Sequence, residues 1–512
     1  MIFQSSYAPA RAYRAQQYCQ AFLTVGWMTG NVGVPGGAVC TSAHANASYG
    51  GPTLVMPGSS GLESIPNPLF KAAGPFGSYG FNQPFSTDFE GCAYEETYDA
   101  ILNGEYTATV RGKVPCDIRC IWHIRSGSGG NFLNQSAGIP KGIEAFRKVD
   151  FVVTNDIVLS TVSKYADIVL PATTEWEKAG GFGSFGNPET LIYFDHVVDP
   201  LYEAKDEMWM EREIAKRIGL DADELYPFSP AQMHYNALAG AVVMNEEGSY
   251  EPLLTITADD IAEMGVEGEP QQGRIPFKEF REKGVYHVPR SPDDGYEKLI
   301  AYLAGGAFRA DPEANPLKTE SGKLEIYCKS LSETIEAYGF IDLPPIPKYH
   351  RPIEGYEDTF ADWEGRVKGE YPLQLITPHY LRRSHSVFDN VRVLRRAWPQ
   401  EFWINPIDAQ ARGIETGDTV LVSSQHGKVL RKACVTTEYM PGVVAMGEGA
   451  WVEMDEETGI DLAGATNSLS GVHLTGQGEE PWNTTIVQVE KWTGDPLEAD
   501  YKWPQRIPIR EA

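Results

Sequence analysis

The densest group of chemistry-bearing side chains is His379, Arg382, Arg383, His385 and Ser386, in the stretch HYLRRSHS. Two guanidiniums and two imidazoles this close together are costly in an acidic chain unless they meet anions or stay in water. Arg presents a planar fork of donors suited to phosphate and carboxylate. The group therefore reads either as an anion site or as an exposed basic loop. With Arg392, Arg395 and Arg396 it forms a local concentration of cations in a chain of formal net charge −27. The His pair has no third ligand at a recognisable spacing, so a metal site does not follow from it.

A second group stands directly after apolar runs. Asn131, Asn134 and Gln135 lie in SGSGGNFLNQ after CDIRCIWHI, and Asn155 and Asp156 close VDFVVTND. Small residues just past a strand let the backbone approach a ligand at the carboxyl edge of a parallel sheet. The competing readings are a plain turn at Asn131 and a helix cap at Asp156, and in the second case both roles can coexist. Gly181, Gly183 and Gly186 spell GxGxxG. No strand precedes them and no helix follows, so nicotinamide dinucleotide binding is rejected.

The elements that must position these residues are bounded by composition. A chain of 512 residues exceeds one compact core, which implies two or three domains. The acidic balance argues against nucleic acid and anionic membrane surfaces as partners. Seven scattered Cys do not make a disulfide framework. The closest pair, Cys116 and Cys120, reads as two small, largely buried residues. No apolar run reaches the roughly 18–20 residues of a membrane helix, and MIFQSSYAPARAYRAQQ is not a signal peptide.

Along the chain, Ile2-Phe3-Gln4 reads as the end of a strand, and a helix is expected from about Ala12 to Met28. Residues 1–115 are expected to be the remnant of a preceding α/β region with a loop-rich insertion lacking a core of its own. In 116–220, short strands and helices alternate with short connections, the signature of a parallel α/β layer. Its last helix, DEMWMEREIAKRIG, has Asp206 as cap and Gly219 as stop. Residues 221–370 read as an irregular connecting region and linker, and 371–512 as many short strands that suggest a barrel.

Four collinear segments carry a family resemblance: TGNVGVPGGA (29–38), VVTNDIVLSTVSKYADIVLPATTEWEK (152–178), NPLKTESGKLEIY (315–327) and EFWINPIDAQARGIETGDTVLVSSQHGKV (401–429). Together they resemble the molybdopterin oxidoreductases of the dimethyl sulfoxide reductase family, and HYLRRSHSVFDN (379–390) is similar to its anaerobic catalytic subunits. The resemblance implies a parallel Rossmann-like α/β domain followed by a C-terminal double-psi-type β-barrel. It implies bis-molybdopterin guanine dinucleotide with molybdenum, and oxygen-atom or two-electron transfer to a small sulfoxide- or N-oxide-like substrate. It also implies an iron–sulfur electron-transfer subunit, a membrane anchor subunit and a periplasmic or extracytoplasmic location. The resemblance places the family's 4Fe-4S segment and its metal ligand upstream of Met1, so no metal ligand is assigned. The alternative is a non-catalytic chain or a cofactor-binding half-subunit.

By the same resemblance the cofactor contacts fall on Tyr7, Ala8 and Arg11, on Asn131 and Gln135, and on Asn155 and Asp156. Further contacts fall on Lys178 and Asp206, on Thr377, His379, Arg383, His385 and Ser386, and on Asn467, Asn483 and Thr484. Guanine presents two adjacent N–H donors that one carboxylate can accept, and Asp156 is the first choice for that role. For Asp206 the cap remains a near-equal alternative, and isolated Asn residues are more often turn formers.

Overall fold

The computed structural model describes residues 2–4, 12–34, 37–40, 53–62, 96–108, 112–124, 132–178, 181–183, 189–291, 294–301, 305–476 and 481–502. The chain forms two compact units that interleave in sequence. One gathers 1–7, 18–66 and 171–327, and the other 8–17, 67–170 and 328–512.

The second unit holds the parallel layer and the barrel. Strands β1 (Cys120–Ile124), β2 (Phe151–Asp156) and β3 (Ile168–Pro171) lie side by side in that order. β1 and β2 run parallel, with Trp122 opposite Val153. The helix Ile139–Lys148 packs on this layer through Ile139, Ile143 and Phe146, which fall on one face at helical spacing. Gly142 is required there, because a Cβ would lie 2.6 Å from the Tyr98 ring. β1 itself is only half-buried, and Cys120 is exposed rather than buried as expected.

The barrel is built from β4 (Leu373–Ile376), β5 (Glu401–Ile404), β6 (Thr419–Ser423), β7 (Lys428–Val435), β8 (Val443–Met446) and β9 (Thr485–Lys491). The order is β5-β8-β4-β9-β6-β7, and β7 pairs back with β5 to close the ring. The pairs β4–β8 and β5–β7 are parallel, and the rest are antiparallel. Alternate residues point inward with the strand period of two. Leu373, Leu375, Phe402, Ile404, Val420, Val422, Val487 and Val489 fill the interior, each at most 1% exposed. The expected barrel is therefore present and closed, and the expected parallel layer lies in the same unit.

In the first unit, which takes 171–327 of the chain, part of the stretch 221–370 carries regular elements around a core. Leu238, Val243, Leu253, Leu254 and Phe280 are fully buried in a core that also takes Leu54 and Val55. The helices Pro230–Ala239 and Phe277–Lys283 and the strands Val242–Met244 and Leu254–Thr255 supply it. Many acidic residues on the exposed faces mask this core in a composition count, because only short apolar runs separate them. In this unit Ile2–Gln4 is a strand paired in parallel with Ala38–Cys40. Gly181–Gly183 is a strand paired with Thr190–Phe194, not a phosphate loop.

Candidate functional site

The loop after β4 does not carry its arginines outward. Arg382 and Arg383 are 1% and 8% exposed. Arg383 donates to Asp389 Oδ1 at 2.8 Å, Gln400 Oε1 at 2.6 Å, the Glu448 carbonyl at 2.9 Å and the Gly447 carbonyl at 3.2 Å. Arg382 donates to Asp389 Oδ1 at 2.6 Å and pairs with Asp500. Arg395, from the helix Arg392–Ala397, donates to Asp389 Oδ2 at 2.7 Å and Asp500 Oδ1 at 3.1 Å. The anions that these cations meet are therefore internal. The donors of Arg383, an expected cofactor contact, point into the protein.

Asp389 is the centre of this network and is 0% exposed. Burial works to raise its carboxyl value. The charges of Arg383, Arg382 and Arg395 and the Trp451 amide more than offset that, and hold it well below the ordinary carboxylate range. Removing one partner from such a network leaves an uncompensated buried charge, a loss of about 3–5 kcal/mol.

With the arginines turned inward, the imidazoles are what the loop presents. His379 and His385 are 61% and 56% exposed, and their rings stand 5.1 Å apart. Both Nδ1 atoms face Glu448 Oε1, at 2.8 and 3.1 Å. Glu448 is the third potential ligand that sequence spacing did not show. His385 and Phe388 hold positive φ of 52° and 73°. Non-glycine residues in that region cost about 1–3 kcal/mol and concentrate at functional loops. Gly449 makes this conformation possible: at φ +79° a Cβ there would stand 1.9 Å from the His385 carbonyl oxygen. The Ser386 carbonyl takes the Trp451 indole N–H at 2.7 Å.

At the end of β2, Asn155 and Asp156 are both buried. Asn155 Oδ1 accepts the Trp122 indole N–H at 3.0 Å, while its Nδ2 is buried without a hydrogen-bond partner. An unmet buried donor costs about 1–3 kcal/mol, which marks it as a position where an acceptor from a ligand fits. Asp156 Oδ1 accepts from the Ile157 and Val158 amides at 2.9 and 3.4 Å, and Oδ2 from Ser163 Oγ at 2.8 Å. The cap of the helix Thr161–Lys164 is Ser160, so the helix-cap alternative for Asp156 is corrected.

The remaining expected contacts fall into small groups. The Gln135 carbonyl accepts Asn467 Nδ2 at 2.7 Å and the Trp482 indole N–H at 2.9 Å. Asn134 reaches the Ala450 carbonyl at 2.9 Å and accepts Thr161 Oγ1 at 2.8 Å. Thr377 Oγ1 donates to Asn483 Oδ1 at 3.2 Å, and Thr484 Oγ1 to the Pro481 carbonyl at 2.8 Å. In the first unit, Lys178 lies 3.9 Å from Asp206 and 2.9 Å from Glu207. There Asp206 caps its helix by accepting the Met208 amide at 3.0 Å. Tyr7, Ala8, Arg11 and Asn131 lie outside the described residues. Among the described residues no helix is long and apolar enough to cross a membrane.

Comparison with known proteins agrees with this architecture. The family model described as molybdopterin oxidoreductase matches residues 2–217, and the molydopterin dinucleotide binding domain matches 373–482, from the first residue of the barrel. Dimethyl sulfoxide reductase DmsA of Escherichia coli (strain K12) is 32% identical over 96% of this chain and 53% of that protein. A trimethylamine-N-oxide reductase of Haemophilus influenzae is 30% identical over 97% of this chain and 56% of that protein. The chain thus spans about half the length of the curated relatives it matches. Among solved structures, acetylene hydratase from Pelobacter acetylenicus shares the fold, with a TM-score of 0.52, 20% identity, and coverage of 78% of this chain and 46% of that one. With a closed barrel that begins where the dinucleotide-binding match begins and a parallel layer inside the oxidoreductase match, this chain carries a molybdopterin oxidoreductase domain and a molydopterin dinucleotide binding domain and is related to the dimethyl sulfoxide and trimethylamine-N-oxide reductases.

Proposed function

We propose that this chain holds bis-molybdopterin guanine dinucleotide and serves oxygen-atom or two-electron transfer to a small sulfoxide or N-oxide. The observation that carries the reading is the match to reductases of those two substrate types over nearly the whole chain. A reading as a non-catalytic chain gains no support from relatives so named.

The cofactor supplies the redox chemistry when bound, and the protein supplies position and electrostatics. Asn155 Nδ2 offers an unmet donor at the sheet edge. Asp156, whose carboxylate is held at the sheet edge by the Ile157 and Val158 amides and Ser163 Oγ, is the proposed acceptor of the guanine N–H donors. His379 and His385 offer the polar surface of the barrel loop, with Ser386 buried beside them as a further proposed contact, and Arg383 acts through the loop's shape. Thr377, Asn467, Asn483, Thr484, Gln135, Lys178 and Asp206 complete the proposed contact set. No described residue is assigned to molybdenum. An iron–sulfur electron-transfer subunit, a membrane anchor subunit and an extracytoplasmic location belong to the same proposal.

The test is anaerobic oxidation of reduced viologen by the molybdenum-loaded protein, with dimethyl sulfoxide and trimethylamine N-oxide as acceptors. Acceptor-dependent turnover is expected. A loaded protein inactive with every S-oxide and N-oxide offered contradicts the substrate class.

A further inference from the structure

A second polar cluster lies within the barrel-bearing unit and is used by none of the contacts above. Glu354 sits at φ +52° with its side chain 5% exposed. Its Oε1 accepts Gln425 Nε2 at 2.5 Å and meets His426 Nε2 at 2.6 Å and His473 Nε2 at 2.8 Å. Its Oε2 is buried with no hydrogen-bond partner. Three donors crowd one oxygen while the other is left without any, a costly distribution for a buried carboxylate.

The surrounding backbone is shaped to bring both imidazoles to this carboxylate. His426 sits in the turn between β6 and β7, where Ser424 Oγ accepts the amides of His426 at 3.0 Å and Gly427 at 3.3 Å. Gly471 lies against both rings: a Cβ there would stand 2.4 Å from His426 Nε2 and 2.7 Å from His473 Nε2. Any larger residue at 471 would fill the space where the two nitrogens converge. The side chains of His426 and His473 are each 23% exposed, so the cluster is open to small solutes on one side.

Two imidazole nitrogens and a carboxylate oxygen form a donor set suited to borderline divalent ions such as zinc, whereas magnesium and calcium prefer oxygens alone. The three ligand atoms lie within 4.8 Å of one another. A tetrahedral zinc ion with bonds of about 2.0–2.1 Å holds its ligands about 3.3 Å apart, so modest side-chain rotation accommodates it. We propose that Glu354, His426 and His473 bind one zinc-class divalent ion, which clips the segment around Glu354 to two loops of the barrel. The unpartnered Oε2 becomes a ligand or a second contact to the ion, and water fills the open position. The segment, the β6–β7 turn and the 469–475 loop are far apart in sequence, so the ion acts as a cross-link within the folded unit.

The test uses metal-stripped protein titrated with zinc against a chromophoric chelator, and with cobalt followed by visible absorption. One equivalent of zinc, a tetrahedral cobalt band and a raised melting temperature are expected. Glu354→Gln and His473→Ala should each weaken zinc binding at least tenfold and remove the cobalt band, with circular dichroism confirming that each variant is folded. His379→Ala/His385→Ala, which disrupts the more exposed His379–His385–Glu448 group, should keep the site. If wild-type protein binds no zinc, or if Glu354→Gln and His473→Ala bind it as wild type does, the proposal is overturned. Loss in the His379/His385 variant alone would also overturn it.

Discussion

Arg383 and Asp389 meet at 2.8 Å in a region closed to water, and that contact fixes which way the loop after β4 faces. Because the guanidinium is held inward, the loop offers the imidazoles of His379 and His385 on its outer side. Asp389→Ala is expected to lower the stability of the barrel-bearing unit by about 3–5 kcal/mol, since three guanidiniums lose their shared counter-ion. Arg392→Ala, on the exposed side of the helix that carries Arg395, should change stability by less than about 0.5 kcal/mol. Chemical denaturation of both variants measures the contrast.

The same carboxylate sets a pH dependence. Its value is depressed in the folded protein, so its contribution is complete above the unfolded carboxylate value of about 3.9 and is lost as pH falls through the lower folded value. The stability difference between wild type and Asp389→Asn should be constant near neutrality and should shrink below about pH 4. A difference that grows on acidification contradicts the assignment.

Gly449 lies 1.9 Å, at its would-be Cβ, from the His385 carbonyl oxygen, and itself needs φ +79°. Gly449→Ala should therefore displace the His385 loop, at a cost of at least about 1–3 kcal/mol. Cofactor retention should fall more steeply than that of a surface alanine variant. Thermal melting together with bound pterin content measures both effects.

Asn155→Ala removes a bond to Trp122 and also removes an unmet buried donor. The two effects oppose, so the stability of the cofactor-free protein should change by no more than about 1 kcal/mol. The fraction of chains purified with pterin should fall several-fold. Unchanged occupancy would remove Asn155 from the contact set.

The alternation in YPLQLIT and TVLVS, and the strand–helix–strand order around ADIVLP, were legible because each follows one local period. The core around Leu238, Leu254 and Phe280 was not, because its residues come from short elements scattered between acidic loops. The charge of Arg382 and Arg383 was legible but its direction was not. Asp389 follows within the same segment and Asp500 lies 118 positions beyond Arg382, and no spacing rule for irregular loops joins them. Glu448 and Glu354 were missed for the same reason: each lies far along the chain from the His residues it meets.

The most direct test of the account is the cofactor content of the purified chain. After denaturation, two pterin dithiolene derivatives and two guanosine monophosphates released per molybdenum are expected, with amounts reduced in Asn155→Ala. Protein that carries pterin without guanine nucleotide, or none of the three, contradicts the central claim that this layer and barrel hold bis-molybdopterin guanine dinucleotide.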